Sequence, residues 1–240
     1  MIRNVSLLTL VLFFAYTGIG HSQGVALGAT YSGAVSAEGF KVPLLDGTWQ
    51  AVAVQRGAGA TTDGSASPPL IRLTLAQLKG ARLAQWVHIS ASDGRNFTGG
   101  WKRNKEICDR KDVHFNYSDK NYSTKETMCW GLNHKGGTLG VNPSQVYVDF
   151  YRWSDDKGRP NTWLALSYYL VKGSRFLQVE YAFNPVTDGF ADTPTADWRG
   201  NPWHVDVAPK DAKKLAYLKQ LKQIGEELFS QLGSAMKTGN

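Results

Sequence analysis

The sequence predicts an α+β domain: an antiparallel β-sheet of six to eight strands with a C-terminal amphipathic helix packed on one face. Three observations carry this. Apolar residues alternate with period two on either side of Lys79-Gly80, the pattern of a β-hairpin. A second pair of apolar runs flanks Lys172-Gly173-Ser174. Leu215, Leu218, Leu221, Ile224, Leu228 and Leu232 recur at steps of three and four, the stripe of a helix with one buried face. No repeat or linker divides the chain, so these elements belong to one domain, residues 39–233. A β-sandwich with an appended helix is the alternative arrangement of the same parts.

The N-terminus addresses the chain. Arg3 precedes a run of apolar residues from Leu7 to Tyr16, and Gly20-His21-Ser22 places small residues at −3 and −1 of a cleavage site after Ser22. The run is too short to span a bilayer, which needs roughly 20 apolar residues. Residues 1–22 therefore read as a signal peptide, with a periplasmic or secreted destination. No later stretch is long and apolar enough to cross a membrane. The 240 residues carry 27 Lys and Arg against 20 Asp and Glu, and removing the leader takes only Arg3 from that balance. In an exported chain such a charge points to anionic envelope polymers, phospholipid headgroups or acidic envelope partners rather than nucleic acid. It is also what keeps many soluble domains dispersed.

Residues 23–38 are small and polar without periodicity and read as a flexible mature N-terminus. A short edge strand follows at Gly39–Pro43, where Pro43 removes a ladder donor. Asp46-Gly47 marks a turn and Thr48–Gln55 a strand. Gly57–Pro69 is a Gly, Ala, Ser and Thr-rich loop. Phe40-Lys41-Val42-Pro43 followed by Gly47-Thr48-Trp49 resembles the opening of Mog1/PsbP-like domains, which implies a terminal helix on an antiparallel sheet and no functional residue. The rest of the chain resembles exported bacterial proteins.

In the first hairpin, Ile71, Leu73 and Leu75 share one face with Leu83, Val87 and Ile89, opposite Arg72, Thr74, Trp86 and His88. Trp101–His134 has no sustained period and reads as an excursion, with a short helix within Lys102–Arg110 and Tyr117 and Tyr122 in loop. It holds the only two cysteines, Cys108 and Cys129, which in an oxidising compartment form a disulfide. Val146–Trp153 alternates as a strand, and Asp155–Asn161 is a turn. Trp163–Val171 and Phe176–Phe183 are apolar at nearly every position, as in a central hairpin covered on both sides. Pro209 suits the first turn of the last helix, Gly233 its stop, and residues 234–240 a disordered tail.

No catalytic motif is present. The candidate ligand surface is the long connection Asn184–Pro209, with Asp188 and Asp192 and, above all, Asp197, Trp198, Arg199, Trp203, His204 and Asp206. Its tryptophans suit stacking on sugar rings, its Asp and Arg suit hydroxyls, and both tryptophans equally suit packing anchors. His204 with Asp197 or Asp206 is the alternative, a general base of an extracytoplasmic hydrolase, without a nucleophile elbow to serve it. The aspartates lack EF-hand spacing. His88, His114 and His134 are scattered, and no cofactor or metal is expected. Asn96, Asn116 and Asn121 open N-x-S/T sequons that matter only in a eukaryotic secretory pathway. The expectation is a non-catalytic exported protein that binds an anionic or glycan ligand or a protein, the last through the Phe40–Pro43 edge.

Overall fold

The computed structural model describes residues 25–58, 68–95, 97–119, 122–193 and 197–237. The expected signal peptide, the middle of the Gly57–Pro69 loop, the sequon residues Asn96 and Asn121, and the last three residues lie outside them. The strands are β1 (Thr30–Tyr31), β2 (Ala34–Ala37), β3 (Phe40–Pro43), β4 (Trp49–Ala58), β5 (Pro69–Lys79), β6 (Arg82–Ser92), β7 (Phe115–Ser118), β8 (Glu126–Gly136), β9 (Thr162–Lys172) and β10 (Arg175–Phe183). The helices are α1 (Lys105–Cys108), α2 (Gln145–Trp153) and α3 (Ala212–Lys237). Eight strands form one antiparallel sheet in the order β1-β4-β5-β6-β10-β9-β8-β7, and β2-β3 is a separate hairpin. The architecture is α+β, as the patterning predicts.

Both expected hairpins form, β5-β6 around Gly80 (φ +63°) and β9-β10 around Gly173 (φ +63°), and the second lies at the centre of the sheet. One face of the sheet is largely apolar. Ile71, Leu73, Leu75, Val87, Ile89, Leu166, Leu170, Leu177, Val179 and Tyr181 are buried there with Leu218, Leu221, Leu228 and Leu232 of α3. The helix comes close because residue 225 has no side chain. A Cβ at Gly225 would stand 2.4 Å from the Trp130 ring, and the Tyr168 hydroxyl donates to the Gly225 carbonyl at 3.0 Å. Asp211 caps the helix start by accepting from the Lys213 and Lys214 amides.

Several expectations are corrected. Residues 25–38 are ordered: Glu38 (φ +46°) and Gly39 (φ +78°) make the tight turn that lets β2 pair with β3, and Val35, Ala37, Phe40 and Val42 are buried. Their small side chains hid this periodicity. Leu83 does not share a face with Val87, because the register shifts between Gln77 and Leu78 opposite it; a bulge turns it to the other side. Gln145–Trp153 is helix, not strand. Val146, Phe150 and Tyr151 are the buried set, packed with Val52, Trp86 and Trp163, so tertiary burial overrides β-propensity. Nor is Trp101–His134 all excursion: β8 pairs with β9 over eleven residues, and Tyr117 lies in β7. Gly233 does not stop α3, which runs on to Lys237. Gly233 packs against Met128, and Arg175 closes the end by donating to the Met236 carbonyl at 3.0 Å.

Candidate functional site

Among the described residues, α1, α2 and the loop before α1 cover the opposite face of the same strands; Trp101 of that loop stacks on Phe176, and its Lys102 carbonyl accepts from the Tyr169 hydroxyl. α2 packs on β4 and β5, and α1 on β7, β8 and β9. Cys108 of α1 is bonded to Cys129 of β8, with Cα atoms 5.2 Å apart. Asn104 caps α1 by accepting from the Ile107 amide at 3.3 Å. Gly131 allows the approach, since a Cβ there would lie 3.1 Å from the Phe115 carbonyl. The disulfide therefore fixes one wall of a cleft and α2 stands on the other.

The floor of that cleft follows from register. Arg72, Ser90, Gln178, Tyr169 and Cys129 lie side by side across β5, β6, β10, β9 and β8. The next row is Thr74, His88, Glu180, Ser167 and Gly131. Polar groups in the middle of a sheet cost free energy unless paired, and most of these are. The Thr74 hydroxyl lies 3.1 Å from His88 Nδ1, and Ser90 Oγ 3.3 Å from Nε2. Ser167 donates to Glu180 Oε2 at 3.2 Å and Lys135 to Oε1 at 2.5 Å. Asn104 Nδ2 reaches Gln178 Oε1 at 3.4 Å. Tyr147 of α2 stacks on the His88 ring, centroids 4.5 Å apart. Burial, then Lys135, then Arg72 push the His88 pKa down to about 3, so it is a neutral imidazole.

Two compartments open along the floor. One, about 410 Å³, is lined by Arg72, Lys102 and Arg103 with His88, Tyr147 and Gln178, and by no carboxylate. Arg103 pairs with Asp109 at 2.8 Å, yet its Nη1 is buried with no hydrogen-bond partner among the described residues. The other, about 270 Å³, is lined by Glu180, Lys135, Ser167, Asn116 and Asn133, and by Glu106, Arg110 and Trp198.

The tryptophan connection is spent differently. Trp203 is 1% exposed and packs on Phe190 and Tyr217, so it is an anchor. Trp198 lies between the His134 ring at 3.8 Å and the Arg110 guanidinium at 4.0 Å. His134 Nε2 is 3.1 Å from the Trp198 carbonyl and His114 Nε2 is 2.8 Å from that of Trp203. His204 stands within 5.6 Å of the His134 ring; its Nδ1 accepts the Asp206 amide at 3.2 Å and lies 3.5 Å from the exposed Asp206 carboxylate. Burial first, then neighbouring charges, hold His134 down at about 4 and lower His114 too. Asp197 accepts the Gly200 amide at 2.6 Å, Asp192 the amides of Asn161 and Thr193, and Asp188 the Tyr217 hydroxyl. Arg199 is exposed. The structure thus gathers Trp198, Trp203 and His204 with two further histidines into a latch, while the aspartates shape the loop. Among the described residues no group of three His, Cys, Asp or Glu side chains is arranged to hold a metal.

The cleft residues Arg72, Ser167, Gln178 and Glu180 escape motif reasoning. The available signal is that four strands each carry a polar pair at i, i+2: Arg72 and Thr74, His88 and Ser90, Ser167 and Tyr169, Gln178 and Glu180. No family model, curated protein or solved structure matches the chain.

Proposed function

We propose that this is an exported, non-catalytic binding protein whose cleft receives the anionic group of an envelope ligand. The supporting observation is the larger compartment, where Arg72, Lys102 and Arg103 line a space that no carboxylate enters. Among the described residues no hydrogen bond or ion pair engages the Arg72 guanidinium, and burial lowers its pKa, so a bound anion would favour its charged form. A compartment of this size is within the order of small-molecule sites, ~300–1,000 Å³. Export is supported by the leader-like N-terminus and by the Cys108–Cys129 bond, and no helix among the described residues is long and apolar enough to cross a membrane.

The hydrolase reading draws on the 3.5 Å approach of His204 to Asp206. Its Nδ1 lone pair is already occupied by the Asp206 amide, and its ring faces Trp198 and His134. Neither Ser90 nor Ser167 of the sheet floor is among its contacts. Binding is therefore the preferred function. Titration of the purified protein with phosphate, acetate and sulfate, followed by melting temperature, tests it. A ligand at 100 times its Kd stabilises by about 2.7 kcal/mol. The rise should shrink with added salt and vanish in Arg72→Met. Equal shifts in the variant would refute the assignment.

A further inference from the structure

We infer that the ligand of this cleft is an acidic saccharide, with its anionic group at Arg72 and Lys102 and its hydroxyls at Glu180, Lys135 and Ser167. This rests on the anion-binding reading above and narrows it.

The argument begins with the sign of charge along the floor. Gln178 and Glu180 are two residues apart on β10, a step of ~7 Å on the same face. The compartment beside Gln178 carries cations and no carboxylate, whereas the next one mixes the Glu180 and Glu106 carboxylates with Lys135 and with the Arg110 guanidinium, which pairs with Glu106 at 3.5 Å. A second anionic end would meet the Glu180 and Glu106 carboxylates, which already pair with the two cations of that compartment. A ligand with one anionic end and a neutral end fits both. Sugar hydroxyls each donate and accept, so they need an acceptor beside a donor. Glu180 supplies the acceptor, with its side chain 16% exposed, and Lys135, 35% exposed, keeps ammonium protons beyond the one it gives Glu180. Ser167 Oγ donates to Glu180 and retains its lone pairs.

The energetics argue for use rather than filling. The other face of these strands shows that aliphatic side chains pack here without difficulty, and replacing a partly buried ion pair by apolar residues is often neutral or stabilising. A Ser-Glu-Lys set kept at the floor of an open cleft is better explained by what it contacts. Asn104 and Gln178, at 3.4 Å, form the long hydrogen bond between the compartments, which a ligand hydroxyl can replace.

Calorimetric titration with glucuronate, glucose and acetate tests the inference. Glucuronate should bind at least about tenfold tighter than either of the others, a difference of about 1.4 kcal/mol. Glu180→Gln and, as a second variant with little effect on folding, Ser167→Ala should each remove most of that advantage and leave acetate affinity unchanged. Arg72→Met should abolish glucuronate and acetate binding together. If acetate binds through Arg72 and glucuronate binds no tighter, the saccharide inference fails and the anion reading stands. If no anion binds, both fail.

Discussion

The two faces of one sheet are built from the same strands and are put to opposite uses. Under α3 the buried positions are mostly aliphatic or aromatic, and the helix comes close where Gly225 meets Trp130 and Gly233 meets Met128. On the reverse, the positions between α1 and α2 hold Arg72, Thr74, His88, Ser90, Ser167, Gln178 and Glu180. If the cleft binds as proposed, the contrast teaches that stability and binding are separable: the α3 face supplies the main core, and the other keeps a polar floor between smaller apolar clusters.

The largest expected effect comes from the apolar face. Leu228→Ala should cost about 2–5 kcal/mol, the range for a buried leucine truncated to a cavity, measured by chemical denaturation, with anion affinity unchanged per folded molecule. Loss of affinity in the folded fraction would show the faces to be coupled. Next is the staple. Reduction, or Cys108→Ser, should cost roughly 3 kcal/mol in the chain-entropy model for a bond spanning 21 residues. Because α1 is a wall of the cleft, it should weaken binding too. Abolished binding at an unchanged melting temperature would mean the cysteines do something other than clamp.

Gly225→Ala should destabilise by about 1–3 kcal/mol through overpacking against Trp130 and Leu166, again without touching the cleft. The fourth expectation concerns pH. His134, held at about 4, faces His114, His204, Trp198 and Arg110, with the Asp112 and Asp206 carboxylates nearby; His88, held at about 3, faces Lys135 and Arg72. Both values lie below the unfolded value of ~6.5, so the unfolded chain binds more protons between them. The stability these neutral rings contribute is complete above pH ~6.5 and is lost as pH falls toward 4 and below, by at most about 1.4 kcal/mol per pH unit for each proton. Melting temperature measured from pH 7 to 4 should fall, and His134→Gln should flatten part of the slope. A flat profile in the parent chain would remove the latch.

The smallest stability effect belongs to Glu180→Gln. Its partly exposed ion pair with Lys135 is worth about 0–1 kcal/mol, so the melting temperature should barely move. A loss on the scale of Leu228→Ala would make Glu180 a structural residue and erase the distinction between the faces.

How much of this was legible depends on pattern length. The hairpins around Gly80 and Gly173 and the α3 stripe repeat a period over many residues, and all three formed. α2 was misread because Val146, Val148 and Phe150 satisfy strand alternation while Val146 and Phe150 also stand one helical turn apart. β8 was missed because its cleft-facing positions are Thr127, Cys129, Gly131 and Asn133, which break an apolar alternation. The tryptophan connection drew attention by its composition, and Trp203 proved to be packing. The cleft drew none, because its residues are short polar pairs on four strands that only the register brings side by side.

By itself the sequence determined the address-like leader, the α+β class, the central hairpin and the pairing of its only two cysteines, since each rests on local periodicity or on a count. Tertiary structure alone decided that α2 is a helix, that three distant histidines meet behind Trp198, and that Arg72 and Glu180 share a floor, two strands and one row apart. Strand order and register bring residues more than a hundred positions apart into one row, and no local pattern encodes that order.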